Sequence, residues 1–182
     1  TITSLGTNTL NEADAGASAN TFNGNVTVNI NGGATVYMSH DAKSTFNGNL
    51  TINRTVGGYT RLFNFGAAIT GNFSFTKNNA GASDLGNTAY KTTINGTINL
   101  NVTQTTSNLF SMHRIQNLTN GGSVAIANTQ GFDIRQDSLL TNSFSVTGYS
   151  GSAHSYFYDN QFTCTFGFED NVAYTSSHQT YI

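Results

Sequence analysis

The chain has no proline, no tryptophan and a single cysteine among its 182 residues. One thiol cannot close an internal disulfide, so packing and backbone pairing have to hold the fold. That thiol, in Phe162-Thr163-Cys164-Thr165-Phe166, reads as a structural group rather than a reactive one. Charge is scarce as well. Lysine, arginine, aspartate and glutamate supply 9 % of the residues, against about 25 % in ordinary globular domains. The net charge is −2 and the seven basic residues are scattered. No basic patch is left to follow phosphates, which argues against nucleic acid as a partner. No apolar run approaches the ~20 residues of a membrane-spanning helix. The opening Thr1-Ile2-Thr3-Ser4 carries neither the charged region nor the apolar core of a signal peptide, and no initiator methionine. A trimmed chain and a mature, processed one both fit that start. Helical periodicity is absent too; Gln136 to Leu140 is the one candidate, and it is too short.

Asparagine, threonine and glycine take up the space, with 25, 28 and 19 residues. Disorder does not follow, because aliphatic and aromatic residues recur in strict alternation. Thr21-Phe22-Asn23-Gly24-Asn25-Val26-Thr27-Val28-Asn29 returns as Thr45-Phe46-Asn47-Gly48-Asn49-Leu50-Thr51-Ile52-Asn53, identical at seven of nine positions. Looser copies surround Gly71 and Gly96. The glycines at 24, 48, 71 and 96 are separated by 24, 23 and 25 residues, a period that marks a repeat architecture. Asn-Gly reads as a turn in which glycine supplies a positive φ. After it, Val26/Val28, Leu50/Ile52, Phe73/Phe75 and Ile98/Leu100 alternate with Asn, Thr and Ser. Two faces follow, one aliphatic and one Asn/Thr-rich. Phe22, Phe46, Ile69 and Ile94 add an apolar contact before each turn.

The expected fold is all-β: a parallel β-solenoid of four or five coils of about 24 residues with an irregular C-terminal end. An antiparallel β-sandwich, with each period a hairpin, is the alternative. Three segments are expected. Residues 1–20 form an N-terminal strand and linker that folds back or is donated to a neighbour. Residues 21–131 form the repeat region, with second strands after Gly32-Gly33 and Gly57-Gly58. In the third period, Asn78 to Asn87 reads as a loop. Residues 132–182 lose the glycine signature and form a capping or contact region, which holds five of the eight tyrosines.

The Thr-Phe-Asn-Gly-Asn-[Val/Leu]-Thr-[Val/Ile]-Asn repeat resembles that of the long repetitive surface proteins of Bacteroidota, exported by the type IX route. The likeness is close over residues 21–53 and looser to about 103, and a C-terminal sorting domain is not recognisable. It implies architecture and an extracellular, cell-surface location, with no chemistry attached.

An enzyme of the β-helix type needs clustered carboxylates. Asp133-Ile134-Arg135-Gln136-Asp137 and Glu169-Asp170 are the nearest approach, and alternation puts Asp133, Arg135 and Asp137 on one face. A solvated, salt-bridged strand accounts for them as well. His40, His113, His154 and His178 have no metal-ligand spacing. No catalytic residue, cofactor or metal is therefore expected. Asn-x-Ser/Thr triplets mark Asn25, Asn49, Asn53, Asn72, Asn95, Asn101 and Asn117 as candidate glycosylation sites, although chance alone yields several in so Asn- and Thr-rich a chain. Asp137-Ser138-Leu139 matches the Asp-Ser/Thr-aliphatic acceptor of Bacteroidota O-glycosylation, with Ser138 as acceptor.

The function expected is structural: a subunit of an extracellular filament or an adhesin stalk, built head to tail from copies of itself. Ile2, Leu5, Tyr181 and Ile182 are the candidate assembly contacts. A carbohydrate-binding module using Tyr149, Tyr156, Tyr158 and Tyr174 is the alternative, and a polysaccharide-cleaving β-helix a more remote one.

Overall fold

The computed structural model describes residues 1–4, 10–12, 19–33, 35–104, 109–127, 129, 131–147, 155–168 and 180–181. These residues form strands joined by short turns and bends, with no helix. The chain winds as a parallel β-solenoid of about six turns, about 23 residues apart. Among the described strands every pairing is parallel, and no hairpin joins strands of one period. Val26 pairs with Leu50, Leu50 with Phe73 and Phe73 with Ile98, in the register that the glycine period dictates.

Each coil has three faces. In the first repeat these are Val26–Ile30, Val36–Met38 and Ser44–Phe46. The next coil repeats them as Leu50–Arg54, Thr60–Leu62 and Ala67–Ile69. The third face was legible only as an apolar contact before the turn. It is a strand of its own, and Phe22, Phe46, Ile69 and Ile94 run along it in register. Ser138–Thr147 passes through the third face and then the first, joining them into one 13-stranded sheet. The second face is a sheet of eight strands. Where it meets the third, successive coils bend at a left-handed residue: Ser39, Phe63, Gly86, Arg114, Gln136 and Asp159.

The core is the set of inward positions stacked from coil to coil. Val28, Ile52, Phe75, Leu100, Val124 and Phe144 form one buried column. Met38, Leu62, Leu85, Met112 and Ile134 form another. Phe46 is fully buried, pairs with Phe22 and Ile69, and stacks on the Phe22 ring with centroids 5.0 Å apart. Burial of such columns removes about 25 cal/mol of unfavourable hydration per Å² of apolar surface. Cys164 packs against this core beside Phe162.

The repeat glycines serve a purpose other than the one expected. Of Gly24, Gly48, Gly71 and Gly96, only Gly24 has a positive φ, 137°. The others are required by closeness. A Cβ on Gly48 would lie 2.5 Å from the Gly24 carbonyl carbon, and one on Gly96 2.6 Å from the Gly71 oxygen. The coils approach closely along this corner, and a column of glycines lets them.

Several segments are defined more closely by the pairing. Of the two courses expected for the N-terminal strand, the structure takes the fold-back. Ile2–Ser4 pairs with Val26–Ile30 of its own chain, Leu10–Asn11 with the Val36–Met38 strand, and Thr21–Phe22 with Ser44–Phe46. They make the first coil, because Ile2 lies one period before Val28 and meets it in register. The strand expected to fold back or to be donated folds back here. Ser83–Gly86, expected to be loop, is a strand paired on both sides. Across residue 132, Gly131–Arg135, Ser155–Tyr158 and Thr180–Tyr181 continue the second face. The glycine signature fades there because Val124 pairs with Phe144, a step of only 20 residues, and the Asn-Gly corner is replaced by continuous strand.

Candidate functional site

The outward side of the first face carries no charge over the repeat coils. Thr27, Thr51, Ser74 and Asn99 form one row, and Asn29, Asn53, Thr76 and Asn101 the next. Asn53 Nδ2 donates to Asn29 Oδ1 at 3.0 Å. At the corner Asn25 Oδ1 accepts the Asn49 N–H at 2.9 Å, and Asn49 Oδ1 accepts that of Asn72 at 2.8 Å. Asn72 Oδ1 in turn accepts from Thr97 N at 2.9 Å. The ladder satisfies backbone donors at a turn where no strand does so.

Of the glycosylation candidates, Asn25, Asn49, Asn72, Asn95 and Asn101 are exposed, and Asn53 and Ser138 are half-buried. Asn117 is corrected. It lies in the core column between Ile94 and Leu139, with 1 % of its surface exposed. Its Nδ2 donates to Thr119 O and Leu140 O, and its Oδ1 accepts from Leu140 N at 2.8 Å. A side chain so enclosed cannot meet a transferase.

Charge and aromatic rings gather on the second face instead. Tyr37, Arg61, Asp84, Ser111, Asp133 and Tyr156 occupy one outward row, coil by coil. The Tyr59 hydroxyl donates to Asp84 and accepts from Arg61 Nε at 2.9 Å. Burial, and then the Asp84 carboxylate, push that phenol up to about 12. Further along, Arg135 forks onto Asp133, with its Nη2 2.7 Å from Oδ2, and lies 5.0 Å over the Tyr156 ring. His113 Nε2 is 3.4 Å from the same carboxylate. Partial burial raises the Asp133 pKa, but His113 and Arg135 outweigh it and hold the carboxyl below its ordinary range. A depression of about 300 Å³ between Arg61, Asp84, Ser111 and His113 lies on this strip.

Asp137 does not join Asp133 and Arg135, which corrects the expected shared face. The chain bends at left-handed Gln136, and Asp137 turns inward, 1 % exposed. Its Oδ1 accepts the Ile115 N–H at 2.6 Å, and its Oδ2 has no hydrogen-bond partner. Burial holds this carboxyl well above its ordinary range, against the pull of the Ile115 hydrogen bond.

Two further charges lie inside, and sequence reasoning missed both. Arg54 and Lys77 stack on adjacent coils in the column of Ile30 and Val102. Arg54 donates to Val56 O, Gly57 O, Tyr59 O and Thr60 Oγ1 at 2.9–3.0 Å. Lys77 donates to Gly81 O, Ala82 O and Ser83 Oγ. Each cation ties down the loop that leads from the first face to the second. Both stand six residues after a repeat glycine, a position that alternation already turns inward.

A second depression, of about 370 Å³, lies at the corner of the second and third faces. Lys91, Arg114, Gln116, Gln136, Asp137, Ser138, Asp159 and Gln161 line it. All eight are polar.

Of the remaining candidates, Ile2 is 40 % exposed on the first strand, and Tyr158 is 59 % exposed. The Tyr181 backbone pairs with Tyr156. Leu5, Tyr149, His154, Glu169, Asp170, Tyr174, His178 and Ile182 lie outside the described residues, so the four-tyrosine platform is represented by Tyr156 and Tyr158 alone. Among the described residues no group of three His, Cys, Asp or Glu is placed to hold a metal ion, and no helix is long and apolar enough to cross a membrane. No family model, curated protein or solved structure matches the chain.

Proposed function

We propose that the chain is a structural rod: a subunit of an extracellular bacterial surface filament or adhesin stalk, joined head to tail to copies of itself. The condition of the sheet ends carries this conclusion. Among the described strands, Ile2–Ser4, Leu10–Asn11 and Thr21–Phe22 are paired on one side only, as are Gln161–Phe168 and Thr180–Tyr181 at the far end. An unpaired parallel edge is a template for another strand. A copy that continues the stack with its strands still parallel presents its opposite end, whereas like ends could meet only with strands antiparallel. Contact between copies therefore joins unlike ends, does not close, and propagates. The first coil offers apolar surface with that edge: exposed Ile2 and the uncovered side of half-buried Phe22. With Ile2–Ser4 already paired at home, the joint is edge upon edge rather than an exchanged strand.

The uncharged Asn/Thr rows support an inert body, and the likeness of the repeat to Bacteroidota surface proteins supports the location. No catalytic step is assigned to the chain. Negative-stain microscopy and light scattering test the proposal. Filaments are expected from the intact protein at high concentration, and single particles from the Ile2→Lys, Thr3→Lys double variant. Intact protein that stays monomeric throughout overturns it.

A further inference from the structure

We propose that the depression at the corner of the second and third faces binds an acidic saccharide, one whose hexuronate carboxylate meets Lys91 and Arg114. The site is independent of end-to-end assembly, since it lies on the flank of the rod.

Two rows built by the coil repeat make the site. Lys91, Arg114, Gln136 and Asp159 follow one another along the corner, as the pairings Thr92–Ile115 and Gln116–Ser138 and the Gln136 N–H to Tyr158 O bond require. Beside them Gln116, Ser138 and Gln161 occupy successive positions on the third face. Coils stack about 4.8 Å apart, so the span from Gln116 to Gln161 is about 10 Å. The volume, about 370 Å³, falls at the small end of the ligand-pocket range of about 300–1,000 Å³.

Charge is distributed unevenly along these rows. Lys91 and Arg114 stand together on adjacent coils, and neither forms an ion pair among the described residues. The Arg114 guanidinium donates to the carbonyls of Thr88 and Ala89. Two unneutralised cations at one end ask for an anion, and a carboxylate is one that a guanidinium and an ammonium hold together well. Towards the other end come carboxamides, then Asp159, exposed and likewise without an ion pair. Gln side chains both donate and accept, and a carboxylate accepts from paired hydroxyls. A molecule with a carboxylate at one end and hydroxyls along its length satisfies the whole set.

The lining has no apolar side chain, which disfavours a peptide, whose side chains need apolar walls. Two of the lining residues have an exposed tyrosine as their neighbour in sequence, a ring type on which sugar faces stack. Tyr90 directly precedes Lys91 and is 42 % exposed, and Tyr158 directly precedes Asp159. Asp137 contributes to the wall from a buried position, with 1 % of its surface exposed.

Calorimetric titration of the whole chain tests this, with a hexuronate tetramer as probe. The neutral hexose tetramer of the same linkage and a short polyglutamate peptide are the controls. The hexuronate is expected to bind with a Kd between about 1 μM and 1 mM, and the neutral sugar at least about tenfold more weakly. Lys91→Gln should reduce hexuronate binding to the level of the neutral sugar. Gln161→Ala should weaken both sugars. Both residues are exposed, so the core is untouched, and an unchanged melting temperature verifies it. Absence of hexuronate binding, equal affinity for the neutral sugar, binding of polyglutamate as tight as the sugar, or indifference to both substitutions overturns the proposal.

Discussion

Gly71 rests directly on Gly48: a Cβ added to Gly71 would stand 2.7 Å from the Gly48 carbonyl carbon and 2.4 Å from Asn49 Oδ1. Backbone cannot yield there as a flexible side chain can. Gly71→Ala should therefore force two coils apart and destabilise the protein by about 1–3 kcal/mol, as overpacking does. Urea unfolding measures it. A cost no larger than a few tenths of a kcal/mol, like that of a surface change, would show that the coils slide past the clash.

Phe46 has its ring against Phe22 below and its register partner Ile69 above. Phe46→Ala removes a fully buried aromatic from the middle of a column and should cost about 3–5 kcal/mol. Phe22→Ala, at the half-buried end of the column, should cost less. Equal losses at the two positions would mean that an additional layer covers Phe22.

Lys77 gives the stability a pH slope. Burial first, and the neighbouring Arg54 charge second, bring its pKa down to about 7, with Asp84 opposing. The unfolded chain keeps that proton up to the ordinary lysine range, whereas the folded chain releases it earlier. Between about 7 and 10.5 the unfolded state binds more protons, so stability rises with pH across that window. Below it the cost of the buried cation is present in full. Urea midpoints compared between the parent and Lys77→Met should show the rise in the parent only. A slope that survives in Lys77→Met would place its origin elsewhere.

Asp137 acts with the opposite sign. Its raised pKa means that the fold prefers the neutral acid, so stability falls as pH climbs from the ordinary carboxylate range towards the folded value. Asp137→Asn keeps an oxygen for the Ile115 N–H and cannot ionise. It should match or exceed the parent in stability at neutral pH and lose this part of the pH dependence. A strong loss at pH 7 would mean that the charged form is needed.

The columns were legible because alternation and a fixed period both leave marks on sequence. Val26, Leu50, Phe73 and Ile98 sit at one offset from four glycines, and nothing but stacking explains that regularity. Ser83–Gly86 left no such mark. It has one aliphatic residue, Leu85, and is a strand because Thr60–Leu62 and Leu109–His113 flank it with open hydrogen-bonding groups. Arg54 and Lys77 were hidden by their charge, although their offset from the glycine matched Ile30 and Val102. The two cations buried in carbonyl-lined loops contradict the usual sorting of residue types, and the loop carbonyls of 56, 57, 59, 81 and 82 with the Thr60 and Ser83 hydroxyls make it tolerable. The saccharide groove was illegible for another reason. Its residues come from four coils and are brought together by register alone, while Asp133, Arg135 and Asp137, neighbours in sequence, are parted by one left-handed residue.

The hydrogen bonds between coils point along the rod, and the first and last described strands lie at opposite ends of it. Tension applied through the two ends would pull on those bonds one rung at a time, as in peeling, instead of shearing a whole ladder at once. Resistance would be modest but repeated, and each coil that came loose would release about 24 residues, or up to about 80 Å of chain. A rod of this construction lengthens in steps under load and absorbs work as it does so, while the coils not yet reached keep their shape.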